Sequence, residues 1–176
     1  MAIRTTIEKA TQSVMNALSG QAGNQAEIQS DILETLQQEH DEVQELLDRL
    51  VKSQTAREQK ALVGKIKAAL VPHTKAEEKV VYDRVLALKD VAAKIDGNEG
   101  YVEHGLAGDT LKKLDKLTAN TPAFKASAKV LKELIDRHVH EEERNIWSRV
   151  KDNFSLQERA ELNREFLAAK RKVRMG

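Results

Sequence analysis

Two stretches of the chain place a histidine four residues before a glutamate. His73 and Glu77 form the first pair, and His138 and Glu142 form the second. On a helix, side chains four residues apart lie on one face, a single turn from each other. An imidazole nitrogen and a carboxylate oxygen held in this way suit two ligands of one metal centre.

The two pairs belong to a longer internal repeat. Glu39-His40 precedes the first pair and Glu103-His104 precedes the second, and the spacing from His40 to His73 is almost the same as that from His104 to His138. The chain therefore contains two copies of one unit, which is a helix with one histidine, a turn, and a helix with His-x-x-x-Glu. A period of this size indicates a fold built from repeats.

Four of the five histidines occupy corresponding positions in the two copies, and these are His40, His73, His104 and His138. A single histidine on a helix is more often an exposed or hydrogen-bonded residue than a ligand. Four at duplicated positions, two of them with a carboxylate one turn away, favour metal binding, because polar groups seldom lie on an apolar stripe without partners. His140 lies about 200° around the helix from His138 and is expected to be exposed.

The available ligand types restrict the metal. The chain has no cysteine, which excludes thiolate ligands, disulfides and thiolate catalysis. Imidazole with carboxylate suits iron, manganese or zinc. Glu77 and Glu142 would face each other in the core of a bundle, and two cations would neutralise both, so a two-metal site is favoured over one. The Glu-x-x-His pattern of ferritin-like proteins and the His-Glu-x-x-His pattern of zinc proteases are both absent.

Four helices are predicted to position these residues. The apolar periodicity predicts them over about residues 31–50, 55–88, 101–117 and 121–150. Thr55, Thr121 and Ser155 are predicted N-caps, and Pro72 is predicted to kink the second helix. The segment Asp96–Gly100 is predicted to end the first half. Short connections favour an all-α, up-down-up-down four-helix bundle with an extra N-terminal helix and a short C-terminal helix.

Three segments are predicted along the chain. Residues 1–28 are an N-terminal amphipathic helix and linker, 29–153 are the four-helix bundle, and 154–176 are a C-terminal helix with a basic tail. The N-terminal helix is interpreted as a packing or oligomerisation element. The basic tail is interpreted as positive charge at a helix C-terminus.

The bulk composition excludes several classes of partner. A net charge of +1 argues against nucleic acid. No stretch approaches the roughly 18 apolar residues of a membrane span. The N-terminus lacks the apolar run of a secretory signal, so a cytoplasmic protein is expected.

The order His … His-x-x-x-Glu … His … His-x-x-x-Glu on four helices resembles the hemerythrin-like, HHE cation-binding family. The similarity covers roughly residues 31–152. It implies a non-haem di-iron centre with a bridging oxo or hydroxo ligand, with manganese or zinc as alternative metals. Carried over by position, the implied ligands are His40, His73, Glu77, His104, His138 and Glu142.

The chain departs from oxygen-carrying hemerythrins at one position. Those proteins have a further histidine four residues beyond the one that matches His104, whereas this chain has Gly108. A coordination position would then be open to water, a carboxylate or a substrate. Gly105 and Gly108 are accordingly predicted to give a small molecule access to the metals, with close approach of a neighbouring helix as the alternative.

Five further residues are predicted to support the ligands. Glu78 and Glu143 each follow a ligand glutamate and would hold a ligand or face solvent; Tyr101 precedes His104 by three residues. Tyr82 and Trp147 occupy the same place in the two copies. Symmetric core packing is the favoured interpretation of this aromatic pair, and a redox-active pair near the metals is the alternative.

Three functional hypotheses follow from the resemblance, besides a helical interaction module with incidental histidines. The first is a protein that binds or senses O₂ or a related small oxidant. The second is an enzyme that reduces hydrogen peroxide with an external electron donor. The third is an iron store or iron sensor.

Overall fold

The computed structural model describes residues 30–174, and every regular element among them is helical. In chain order these are α1 (Ile32–Lys52), α2 (Ala56–Glu77), a π-helical segment (Glu78–Tyr82), α3 (Asp83–Leu86), α4 (Val91–Lys116), α5 (Pro122–Arg144), α6 (Ile146–Asn153) and α7 (Leu156–Lys170). The predicted N-terminal helix and linker, 1–28, lie outside the described residues. The all-α class is confirmed.

Side-chain caps determine where several helices begin. Thr55 accepts a hydrogen bond from the Glu58 amide, Thr121 from the Phe124 amide, and Ser155 forms a capping box with Glu158. Each cap satisfies amide groups that have no partner within the helix, which stabilises it by typically about 1 kcal/mol. All three starts agree with the sequence prediction.

The segment Asp96–Gly100 does not end the first half, so that prediction was wrong. It lies inside α4, which begins at Val91 after a short turn, ten residues before the predicted start. The glycines mark close packing instead. A Cβ on Gly100 would lie 2.5 Å from the Cε2 of Tyr82, and one on Gly97 would lie 3.1 Å from the Leu86 side chain.

The second and fourth predicted helices are each interrupted shortly after the ligand glutamate. In the first copy, α2 ends at Glu77 and gives way to the π-helical segment. In the second copy, α5 ends at Arg144 and α6 begins at Ile146. Helix α2 runs through Pro72 without ending there.

The long helices enclose a core divided by a polar band. Helix α1 contacts α2 and α5, and α4 contacts the same two helices. One buried apolar cluster includes Val43, Leu70 and Ile135, and a second includes Leu36, Ala76 and Ile146. Between these positions in the sequence lie four residues of the predicted metal site: His40, His73, His138 and Glu142. The apolar clusters therefore hold the polar band from both sides.

Helix α7 packs on the bundle rather than extending away from it. It contacts α1, α2 and the π-helical segment, and its Leu162 and Phe166 are fully buried in the second cluster. No helix among residues 30–174 is both long and apolar enough to cross a membrane.

Candidate metal centre

The structure brings the six predicted ligand side chains together in the core. All are almost fully buried: His40, His73, Glu77, His104, His138 and Glu142. They come from four helices, because α1 and α4 contribute one histidine each, and α2 and α5 contribute one His-x-x-x-Glu pair each.

Each glutamate lies between two histidines. The Oε2 of Glu77 is 3.2 Å from His73 Nε2 and 3.5 Å from His104 Nε2. The Oε2 of Glu142 is 3.4 Å from His138 Nε2 and 3.5 Å from His40 Nε2. All four histidines thus direct Nε2 towards the carboxylates.

Two groups of three fully buried residues in this cluster could each hold a metal ion. They are His40, His73 and Glu77, and Glu77, His104 and His138; within each group the ligand atoms lie within 4.8 Å of one another. Glu77 belongs to both groups. A carboxylate has two oxygens, so one glutamate at this position can contribute to two adjacent ions.

The hydrogen bonding of these groups is incomplete without a cation. His40 Nε2, both carboxylate oxygens of Glu77 and both of Glu142 are buried with no hydrogen-bond partner among the described residues. A buried carboxylate without compensation is costly. Divalent cations would satisfy all of these atoms, so the residues present fit a metal centre.

A second layer of carboxylates lies against the outer nitrogen of each of the four clustered histidines. Their Nδ1 atoms lie 3.3 Å from Glu143 for His40, 3.0 Å from Glu39 for His73, 3.4 Å from Glu78 for His104, and 2.8 Å from Glu103 for His138. A carboxylate on Nδ1 fixes the ring orientation and leaves Nε2 free to bind a metal. This is the arrangement expected around ligand histidines.

The outer carboxylates form a closed cycle. Glu39 of α1 supports the histidine of α2, and Glu78, directly after α2, supports that of α4. Glu103 of α4 then supports the histidine of α5, and Glu143 of α5 supports that of α1. Three of the long helices, α1, α4 and α5, and the residue directly after α2 therefore each supply a carboxylate that orients a histidine of the next long helix in the cycle.

Each outer carboxylate is itself held by another polar group. The contacts are Lys170 with Glu39 at 2.6 Å, Arg137 with Glu103 at 2.8 Å, Lys75 with Glu78 at 2.7 Å, and Gln37 with Glu143 at 3.1 Å. Lys170 is the last residue of α7, so the C-terminal helix reaches the periphery of the centre.

The sequence prediction found only half of this outer layer. Glu78 and Glu143 were predicted as supporting residues and are located beside ligand histidines. Glu39 and Glu103 were missed, although each stands immediately before a ligand histidine as part of a repeated Glu-His pair. That repetition was the available signal.

Two of the histidines favour the protonated form in the metal-free protein. Burial lowers the pKa of His73, but the charge of Glu77 and the hydrogen bond to Glu39 outweigh it and raise the pKa to about 9. His138 is likewise buried, and Glu103 and Glu142 raise its pKa to about 10. Both therefore carry a proton at neutral pH that a metal must displace.

The pKa values of three other central groups are shifted in different directions. Burial dominates at His104 and lowers its pKa despite the contact with Glu78. Burial also opposes the charge on Glu77, but His73 and the other nearby histidines hold its pKa well below the usual range. The pKa of Glu142 is raised by burial and by the negative charge of Glu77.

The two matched aromatic residues stack on ligand histidines. Tyr82 stacks on His104 with ring centroids 5.2 Å apart, and Trp147 stacks on His40 at 5.9 Å. Both are buried, which agrees with the packing interpretation. Tyr101 contacts the Tyr82 ring edge-on at 5.7 Å and donates a hydrogen bond to Asp83.

Neither glycine predicted as an access point lines the centre. A Cβ on Gly105 or Gly108 would meet nothing within 4 Å, Gly105 is exposed, and Gly108 is half-buried. The inward position one turn after His104 is occupied by Ala107, which is 2% exposed. Access to the centre through Gly108 therefore stays a prediction, although the fully buried side of α4 at this turn carries Ala107.

Two small cavities border the cluster, each with about 10 Å³ of space, roughly that of one water molecule. One is lined by all four histidines and by apolar side chains, including Val43, Leu70, Ile135 and Val139. The other reaches from Glu142 and His138, past Tyr82 and Gly100, to acidic residues between α4 and α5.

Comparison with known proteins identifies the family. A "DNA nickase" from Nostoc sp. (strain PCC 7120 / SAG 25.82 / UTEX 2576) is 27% identical over 167 residues, which is 92% of this chain and 47% of the relative. The chain thus spans about half the length of that protein. No solved structure matches this chain significantly. The family model for the hemerythrin HHE cation binding domain matches residues 31–150, and the chain therefore belongs to this family.

Proposed function

We propose that this chain is a non-haem di-iron protein that binds or senses O₂ or a related small oxidant within an up-down-up-down helical bundle. The observation that carries the proposal is the buried group of four histidine Nε2 atoms around two carboxylates without hydrogen-bond partners. Cation binding is the property of the family. The proposal adds that the metal is iron, that two ions are bound, and that the reacting molecule is O₂ or a related oxidant.

Two ions rather than one are supported by the position of Glu77. It belongs to both three-residue groups, so one ion would be held by His40, His73 and Glu77, and the other by Glu77, His104 and His138. Glu142 lies between His40 and His138, and so between the two groups. Two dications also balance the charge of two buried carboxylates better than one.

Iron is supported by the ligand chemistry and by the burial. Imidazole and carboxylate ligands without sulfur suit iron, and two ferrous ions would supply two electrons to an oxidant. The chain's own contribution is to fix the four imidazoles through their Nδ1 atoms and to exclude bulk water with apolar clusters on both sides.

A small, weakly polar ligand is supported by the cavity beside the histidines. Val43, Leu70, Ile135 and Val139 give it apolar walls, while the histidine rings form the remaining side. Its space, about that of one water molecule, excludes a metabolite and restricts a ligand to the smallest molecules. O₂ and hydrogen peroxide, each with two oxygen atoms, are the smallest oxidants of this kind.

The proposal is tested by measuring metal content and optical spectra before and after adding O₂ or peroxide. The expected result is two iron ions per chain and a spectrum that changes with the oxidant. His73→Ala and Glu142→Ala should lose iron, whereas His140→Ala, an exposed histidine outside the cluster, should keep it. Two metals retained in both ligand variants would contradict the assignment.

Peroxide reduction is the enzymatic form of the same proposal. It requires an external electron donor, because the sequence has no dinucleotide-binding motif. Turnover of peroxide with a supplied donor would establish it. Iron loading without any spectral response to O₂ or peroxide would instead indicate an iron store or sensor.

DNA cleavage is a second candidate function, favoured by the similarity to the Nostoc protein across almost the whole chain. This chain matches only 47% of that protein, so the activity in its name has a second possible location, in the part without a counterpart here. A net charge of +1 and the use of Lys170 to hold Glu39 argue against a DNA-binding surface here. Incubation of the iron-loaded chain with supercoiled plasmid, beside Glu142→Ala, tests it directly.

A further inference from the structure

Helix α4 carries an unusual outer surface. Four large apolar side chains on it are exposed: Val91 at 71%, Ile95 at 62%, Val102 at 63% and Leu106 at 49%. At 100° per residue, these positions fall within an arc of about 60°, so they form one stripe about 22 Å long, which the exposed Asn98 interrupts between Ile95 and Val102. We call these four residues the α4 seam.

The seam is separate from the packing of α4 within its own chain. The opposite side of the helix is buried and carries Ala93, Gly97, Gly100, His104, Ala107 and Leu111. That side already contacts α2 and α5. An apolar stripe on the remaining side has the heptad-like spacing of a helix that pairs with another helix.

Gly105 lies beside this stripe and has no role within the described chain. A Cβ there would meet nothing within 4 Å. Glycine in the interior of a helix costs about 1 kcal/mol relative to alanine, so close approach of something else is a physical reason for keeping it. The sequence had suggested a neighbouring helix at this point, and none of the described helices occupies it.

The charges beside the seam indicate what lies against it. Lys94 and Glu99 are exposed on opposite sides of the stripe, five residues apart. If a second α4 packs in parallel about a two-fold axis, each Lys94 faces the Glu99 of the other copy on both sides of the contact. This is the pattern of charges that flanks parallel paired helices.

The antiparallel alternative is disfavoured by the same charges. It would also match apolar residues, with Ile95 against Val102 and Val91 against Leu106. However, it would place the two copies of Glu99 against each other near the two-fold axis. Like charges in such a position are destabilising. The parallel pairing brings together only the two copies of Asp109, beyond the end of the seam, where Lys112 lies 3.0 Å from the carboxylate of its own chain.

We propose that the α4 seam is a two-fold interface between two copies of this chain, with the α4 helices parallel. A single helix seam covers less area than a standard interface. The dimer is therefore weak, with a dissociation constant in roughly the micromolar range or above. This proposal is independent of the metal and of its chemistry.

Sedimentation equilibrium of the full chain, from micromolar to several hundred micromolar, tests the association. A dimer should form with rising concentration, and Val102→Asp should raise its dissociation constant more than about 100-fold, because two carboxylates would face each other in the seam. The matched control is Val130→Asp, which changes an exposed valine of α5 and should leave association unchanged. A chain that stays monomeric, or a dimer indifferent to Val102→Asp, overturns the proposal.

The orientation has its own test, since the chain contains no cysteine. In the parallel pairing Val102→Cys faces its counterpart and should form a disulfide-linked dimer under mild oxidation. In the antiparallel pairing the two cysteines would be about 10 Å apart along the seam, beyond disulfide reach. Equal cross-linking by Val130→Cys, or no cross-linking by Val102→Cys in a dimeric sample, overturns the parallel arrangement.

Charge reversal tests the parallel arrangement without a covalent cross-link. Lys94→Glu and Glu99→Lys should each weaken the dimer by about threefold to tenfold, and the double variant should recover it. Single variants without effect, or a double variant weaker than both, would contradict the proposed contact.

Discussion

The two halves of the bundle carry the same ligand pattern but interrupt their helices differently. In the first half, a π-helical segment follows Glu77. In the second half, α5 ends at Arg144 and the chain restarts as α6. Both interruptions come within three residues of the ligand glutamate, so they serve the same geometrical purpose by different means.

That purpose is visible in the aromatic residues. Tyr82 and Trp147 stand nine residues after His73 and His138, and in a regular α-helix such a position lies about 180° from the histidine. It would face away from the core. The π-helical segment in the first half and the helix break in the second each absorb about one extra residue. The side chain nine residues after the histidine is thereby rotated back towards the core. Both rings are consequently buried, each against a histidine of the other half.

The halves also differ in charge. The pKa of Glu77 is held low and that of Glu142 is raised. The difference reflects their neighbours, because the first carboxylate is surrounded by histidines and the second must also face the first. In the metal-free protein each half therefore has one histidine that holds a proton, His73 or His138, and Glu142 takes up a proton more readily than Glu77.

The largest expected effect is a pH dependence of metal affinity to which both halves contribute. His73 and His138, with pKa values of about 9 and 10, are protonated at pH 7 in the metal-free protein and must each lose a proton on binding. Affinity should therefore rise with pH, by up to about 100-fold per unit between pH 7 and 9, and fall in acid. A pH indicator in weak buffer measures the released protons; release of none would contradict the assignment.

A smaller effect should separate the outer carboxylates. Glu103→Gln weakens the 2.8 Å contact to His138, and Glu143→Gln weakens the 3.3 Å contact to His40. Each should lower metal affinity by about tenfold to 100-fold, with the larger loss for Glu103→Gln because its contact is shorter and more buried. Glu133→Gln, on an exposed face of α5, is the control for titration of metal affinity and should change nothing.

Two glycines in the interiors of long helices should respond in opposite directions. Gly100→Ala, in the second half, forces a Cβ against the Tyr82 ring and should destabilise the fold by about 1–3 kcal/mol. Gly64→Ala, in the first half, meets open space and should stabilise it by up to about 1 kcal/mol. Urea unfolding of the metal-free chain compares them, and equal effects would refute the packing role of Gly100.

The smallest effect should come from the Tyr82 hydroxyl. It lies 3.5 Å from His104 Nε2, too long for a strong hydrogen bond. Tyr82→Phe should therefore change the rate of reaction with O₂ or peroxide by less than about twofold. Trp147→Phe in the other half is the partner measurement; a large loss of rate in either one would favour the redox interpretation over packing.

Part of the candidate ligand set was predictable because its spacing is local. His73 with Glu77, and His138 with Glu142, need only one turn of helix to be recognised. Glu39 and Glu103 were not predicted because the histidines they hold lie on other helices. The same limit explains the wrong prediction for the segment Asp96–Gly100. Its glycines suggest a turn in the sequence, and only the packing of the Tyr82 ring against Gly100 shows that they belong inside a helix.

The residue of α4 that faces inward beyond His104 was not predictable for a related reason. A step of four residues from His104 reaches Gly108, but a step of three reaches Ala107, and only the packing of α4 against its neighbours decides which of them faces inward. The register of the helix beyond a ligand is a tertiary property.

The closed cycle of outer carboxylates has a consequence for how such a protein can be assembled. Two of the four links, Glu39 to His73 and Glu103 to His138, stay within one half, while Glu78 to His104 and Glu143 to His40 cross between halves. A single helical hairpin thus contains every residue type of the site but only half of its orienting contacts. Two identical hairpins related by a two-fold axis would complete the same cycle, so a tandem gene fusion of one hairpin could yield a working centre without any new residue.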